Sequence, residues 1–162
     1  MNTTDEIDFL LALEPHGWST CWIFVQGKSY EVTITHIFND PIDEFISALS
    51  RLIKGENLVT FFWYGEPGGE RVEIERLKDK TQILNIRFDG FYESFGDEIE
   101  DYEPTIHFEI TERQFLITAY YQLKKMEGLL ADPAFAKNRN GNFPFQRFKT
   151  LESEVMNYLK IN

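Results

Sequence analysis

Residues 58–88, LVTFFWYGEPGGERVEIERLKDKTQILNIRF, decide the fold class. Leu58 to Tyr64 is a strand-forming run of aromatic and β-branched residues with apolar side chains on both faces. Gly65-Glu66-Pro67-Gly68-Gly69 is a turn cluster, and no Lys-Ser/Thr phosphate-loop ending follows it. Arg71 to Leu77 then sets Val72 and Ile74 against Glu73 and Glu75, the alternation of a strand with one wet face. Lys78-Asp79-Lys80 turns the chain into a further strand, Gln82 to Phe88. Parallel pairing needs a crossover of a dozen or more residues, and these links are too short for one, so the three strands form an antiparallel meander.

Upstream, Asp40-Pro41 opens a helix. The carboxylate can cap, and proline suits the first helical position because its missing N–H would have no partner there. Ile42, Phe45, Ile46, Leu49, Leu52 and Ile53 share one stripe at helical spacing, and Gly55 ends the run. Before it lie strands over 18–26 and 29–35, joined at Gly27-Lys28. Downstream, Thr105 to Ile110 alternates as a sixth strand. Thr111-Glu112-Arg113-Gln114 has the capping-box pattern of a helix carrying Phe115, Ala119, Leu123, Met126 and Leu130 and ending near Asp132-Pro133. After a polar link over 137–142, Phe145, Phe148, Leu151 and Val155 mark a last helix. The expectation is a single α+β domain over 1–162: an antiparallel sheet of about six strands, one amphipathic helix between strands 2 and 3, and two C-terminal helices packed on the sheet.

Sixteen Lys and Arg against 27 Asp and Glu give a formal charge of −11, which opposes nucleic-acid binding because phosphate neutralisation needs a surplus of cations. Fifteen Phe, seven Tyr and three Trp supply a core that a disordered acidic chain would lack. The apolar run Phe9 to Leu13 is too short and wrongly flanked for a signal peptide, and no run approaches the ~20 apolar residues of a membrane span. The chain reads as cytoplasmic. Its one cysteine, Cys21, sits among Trp22, Ile23 and Phe24 with no basic neighbour in sequence, as a small buried hydrophobe does.

No catalytic or metal-binding motif occurs. His16, His36 and His107 have no ligand-spaced partner, and no Gly-x-Ser-x-Gly elbow is present. Neither cofactor nor metal is expected. The distinctive segment is 89–103, where Asp89, Glu93, Asp97, Glu98, Glu100, Asp101 and Glu103 occur with no base, interleaved with Phe91, Tyr92, Phe95 and Tyr102. One reading is a solvated loop whose charges keep the protein soluble. The other is a recognition surface, where rings offer contact area and acids steer a basic partner, with Phe91, Tyr92, Glu93, Asp97, Glu98 and Asp101 as the expected binding residues. The segment lacks the oxygen spacing of a calcium loop. Two other readings are a ligand pocket between sheet and helices, lined by Trp18, Trp22, Phe62 and Trp63 with His36 or Tyr64 as polar contact, and a hydrolase using His107 with Glu109. Lys137, Arg139, Arg147 and Lys149 form a small basic stretch suited to acidic surface on the same molecule or a second copy.

Gly17-Trp18-Ser19-Thr20, Gly27 and Tyr30, the Asp-Pro-started helix ending Leu52-Ile53-Lys54-Gly55, then Trp63, Glu66-Pro67-Gly68 and an Arg-bearing strand together resemble a group of small uncharacterised bacterial proteins. Some of these are suspected antitoxins or immunity proteins of polymorphic toxin systems. The resemblance spans residues 17–88. It implies an α+β fold and a protein-binding role, and it carries over no catalytic residue. With the acidic composition, the expectation is a non-enzymatic protein that binds and inhibits a basic toxin.

Overall fold

The computed structural model describes residues 6–92 and 99–161. In chain order they form β1 (Ile7–Glu14), β2 (Trp18–Val25), β3 (Lys28–Thr35), α1 (Pro41–Ile53), β4 (Leu58–Tyr64), β5 (Gly69–Arg76), β6 (Ile83–Phe91), β7 (Glu103–Thr111), α2 (Glu112–Leu129), α3 (Pro133–Ala136) and α4 (Phe145–Ile161). The class is α+β, but the strands divide into two antiparallel sheets, β1-β2-β3 and β4-β5-β6-β7, where one six-stranded sheet was expected. The additional strand is β1. Ile7, Phe9, Leu11 and Leu13 are buried while Asp8 and Leu10 are exposed, so the run given only as a targeting-signal test is half-buried sheet. With β1 counted, the amphipathic helix lies between strands 3 and 4 rather than 2 and 3. The short α3 is a further helix inside what was expected to be a break and a polar link.

The split between sheets follows from α1. It stands between β3 and β4 in the chain and packs on β4, so the two strands meet only at their edges and share no ladder. Local signals fix this helix. Asp40 Oδ1 accepts from the Asp43 N–H at 3.0 Å, Pro41 takes the first turn, and Leu49 and Leu52 are fully buried. Thr111 caps α2 in the same manner, its Oγ1 accepting from the Gln114 N–H at 3.2 Å. The inner faces of both sheets, α1, α2 and α4 contribute to one hydrophobic core.

Each sheet has exposed edges to manage. That of β1 is sealed by side chains. Gln122 Oε1 accepts from the Leu11 N–H at 3.1 Å, Lys125 Nζ donates to the Leu11 carbonyl at 2.9 Å, and Arg139 Nε donates to the Leu13 carbonyl at 3.0 Å. At the far end, the β4–β5 hairpin folds tightly against the end of β6. A Cβ on Gly68, whose φ is +76°, would stand 2.2 Å from the Phe91 carbonyl oxygen, so only glycine permits this approach.

Candidate functional site

The hairpin, the end of β6 and the start of β7 face the outer side and free edge of β3 across a cleft of about 580 Å³. Trp18, Glu31 and Thr33 come from the three-stranded sheet. Glu66 and Pro67 come from the hairpin turn, Glu70 from β5, Phe91 from the end of β6 with Tyr92 just beyond it, and Glu103 and Thr105 from β7. Four carboxylates therefore line the cleft, and none of its described lining residues is a Lys, Arg or His. The nearby arginines are engaged elsewhere. Arg71 Nη2 donates to Asp89 Oδ2 at 2.8 Å, Arg87 Nε donates to the same oxygen at 3.1 Å, and Arg87 also pairs with Glu73.

Glu70 is the most constrained of the four. Its Oε2 accepts from Thr105 Oγ1 at 2.9 Å. Burial pushes its pKa above the ordinary carboxylate value, the Thr105 hydrogen bond opposes that rise, and the charge on Asp89 adds to it. A carboxyl whose pKa is higher folded than unfolded destabilises the fold once it ionises, so stability falls as pH rises from the unfolded value through the folded one. Glu70→Gln keeps an acceptor for Thr105 and removes the half-buried charge. It is expected to raise the melting temperature at pH 7, with the gain disappearing at pH 4; an unchanged or lower value at pH 7 would contradict this account.

The expected binding residues separate. Tyr92 is 77% exposed at the cleft rim, whereas Phe91 is only 6% exposed, its ring enclosed by Phe62, Tyr64 and Tyr102 at centroid distances of 6.1, 5.9 and 6.1 Å. Phe91 is thus a packing residue rather than an outward docking ring. Arg71 stacks on the outer side of Tyr102, 3.8 Å from its centroid. Asp101 is exposed and outside the cleft lining. Glu93, Asp97 and Glu98 lie outside the described residues.

The expected aromatic pocket does not assemble. Trp18 and Trp22 are half-buried on the outer face of β2, opposite Thr35 and Glu31, and Phe62 faces outward from β4. Trp63 alone turns into the core, where its Nε1 donates to the Pro41 carbonyl at 3.2 Å. Adjacent residues of a strand point to opposite faces, so Phe62 and Trp63 cannot line one side. The interior void beside Trp63, Phe45 and Phe115 is about 20 Å³, space for a water molecule and no more.

Sequence reasoning missed a serine–histidine pair: His36 Nε2 and Ser19 Oγ are 2.7 Å apart. Burial lowers the His36 pKa, with the Asp40 charge opposing. Ser19 has no exposed surface, so a substrate carbonyl cannot reach its hydroxyl, and half-buried His36 serves to satisfy that buried hydroxyl. His107 bonds to Asn85 on the outer face of the four-stranded sheet. Cys21 points into the core, where burial pushes its thiol up to about 12, so it stays protonated and inert. Among the described residues no group of three or more His, Cys, Asp or Glu could hold a metal, and no helix is long and apolar enough to cross a membrane.

The basic stretch is consumed within the fold where its contacts are seen. Arg139 bonds to Leu13 and stacks 4.2 Å from the Phe135 ring, and Arg147 faces Asp43 at 3.4 Å. The cleft walls themselves were not legible in sequence, since each glutamate alone looks like one residue of a solvated strand face. Comparison of the chain with family models, curated proteins and solved structures finds no match.

Proposed function

We propose that the chain is a non-enzymatic, cytoplasmic binding protein that docks a cationic protein in the cleft between its two sheets, in the manner of an immunity protein covering a basic toxin. The observation that carries this reading is a cleft with four glutamates in its walls and no lysine or arginine among its described lining residues. Like charges held together without counter-charge raise the local negative potential, which speeds encounter with a basic surface and disfavours acidic ones. Tyr92 and Trp18 add the amphipathic rings that anchor protein interfaces. The chain's overall charge of −11 acts in the same sense at longer range, within the reach that salt allows.

The test begins with affinity capture from the source cell's lysate at low and high salt, and continues with association kinetics of the captured basic protein. Glu31→Gln, Glu66→Gln and Glu103→Gln together are expected to slow association by about tenfold or more at low salt and to flatten its salt dependence. Unaltered kinetics would remove the cleft from the interface. Failure to retain any basic protein at either salt would remove the proposed partner class.

A further inference from the structure

The two outer edges of the three-stranded sheet are treated differently, and the difference identifies how a partner would sit in the cleft. In an antiparallel sheet, a residue's N–H and C=O both point to one neighbour, and alternate residues point to opposite sides. On β1 the groups directed away from β2 belong to Leu11 and Leu13, and side chains from α2 and from Arg139 take them up. The register Leu11↔Cys21↔Val32 then directs the backbone groups of Cys21 and Val32 to each other. Those of Ser29, Glu31 and Thr33 therefore point away from the sheet. The Thr33 carbonyl is directed toward the hairpin turn, 3.5 Å from where a Cβ on Gly65 would stand, so the turn borders the edge at that residue. Among the described residues no side chain or strand bonds to these outward groups.

Glu31, Val32 and Thr33 form one wall of the acidic cleft, so this open edge faces the four carboxylates. We propose that the occupant is an extended, lysine- or arginine-bearing segment of the partner, which adds to β3 as a fourth strand and places its cations against Glu31, Glu66, Glu70 and Glu103. Edge addition supplies backbone hydrogen bonds that need no particular sequence, while the side chains on one face supply selectivity. Charge decides between this occupant and a second copy of the chain. Two copies joined through β3 would bring their acidic clefts together, each on a molecule of charge −11. The inference rests on the cleft's taking a cationic partner and adds the manner in which it does so.

The probe is a capped octapeptide of alternating Lys and Thr, titrated into the full chain and followed by amide resonances and hydrogen exchange. Binding is expected to protect the Glu31 and Thr33 amides. Of two versions of the peptide N-methylated at alternate residues, one is expected to bind at least tenfold more weakly while the other binds like the parent, because only one set of N–H groups faces the edge. Thr33→Pro deletes an outward N–H and no ladder bond, and should produce the same tenfold loss. If that variant fails to fold, the methylated peptides on the unchanged chain still decide the matter. Equal binding by all three peptides without protection overturns strand addition and leaves the acidic cleft standing. Equal binding of the parent peptide to the Glu31, Glu66, Glu103 triple variant overturns the charge reading instead. No binding of any peptide at millimolar concentration overturns both, and prior protection of Glu31 and Thr33 in a dimer assigns the edge to a second copy.

Discussion

Arg76→Ala is expected to lower unfolding stability by about 3–5 kcal/mol, the range for breaking a buried ion pair from one side. Arg76 ends β5 and holds three elements at once. Its Nη1 and Nη2 meet Glu112 Oε2 and Oε1 at 2.5 and 3.0 Å, and Nη2 also donates to the Leu52 carbonyl in the last turn of α1 at 3.0 Å. Nη1 reaches the Thr81 carbonyl in the β5–β6 turn at 3.2 Å. Both side chains are 11% exposed, so alanine would leave the Glu112 carboxylate in a largely dry site with both of its guanidinium contacts gone. Lysine should rescue little, because a single ammonium cannot reproduce the two-pronged contact or reach both carbonyls. Replacing Arg76 and Glu112 together by apolar residues should recover much of the loss, since the penalty belongs to the orphaned charge. Denaturant unfolding of the four proteins measures this. A loss under about 1 kcal/mol for Arg76→Ala would show that water reaches the pair more freely than its burial indicates.

How much of this was legible in sequence depends on the range of the forces involved. Helix α1 was readable because Asp40, Pro41, the apolar stripe and Gly55 are local signals that agree. Strand β1 was not, because Leu10 and Ala12 occupy its outer face and fill in the alternation that Ile7, Phe9, Leu11 and Leu13 would otherwise display. Whether β3 and β4 pair is decided by where α1 packs, a tertiary matter to which neither strand's composition refers. The cleft is harder still. Glu31, Glu66, Glu70 and Glu103 stand on four different segments, and only the assembled sheets bring them to one space.

The half-buried charge at Glu70 links stability to the proposed role. A protein selected for stability alone would gain by a neutral side chain there, given that burial already disfavours the ionised form. A carboxylate held in a cleft with no Lys, Arg or His among its described lining residues is the pattern expected where charge serves a partner. Glu70→Gln therefore tests two effects of opposite sign, a gain in the free protein and a loss in the complex.

Phe91→Ala and Tyr92→Ala, one residue apart, should diverge completely. Phe91→Ala is expected to cost about 3–5 kcal/mol, the usual consequence of removing a buried aromatic ring. Its neighbours Phe62, Tyr64 and Tyr102 would lose their common packing partner, and the close approach of the Gly68-Gly69 corner to the end of β6 would lose its support. Tyr92 is 77% exposed, so its truncation should change stability by no more than about 0.5 kcal/mol. In binding the order reverses. Tyr92→Ala should weaken a partner seated in the cleft with folding intact, whereas any weakening by Phe91→Ala should track its loss of stability and be relieved by cooling or by a stabilising substitution elsewhere. Equal stability losses in the two variants would mean that the end of β6 is not ordered as a strand in solution, and the wall it gives to the cleft would go with it.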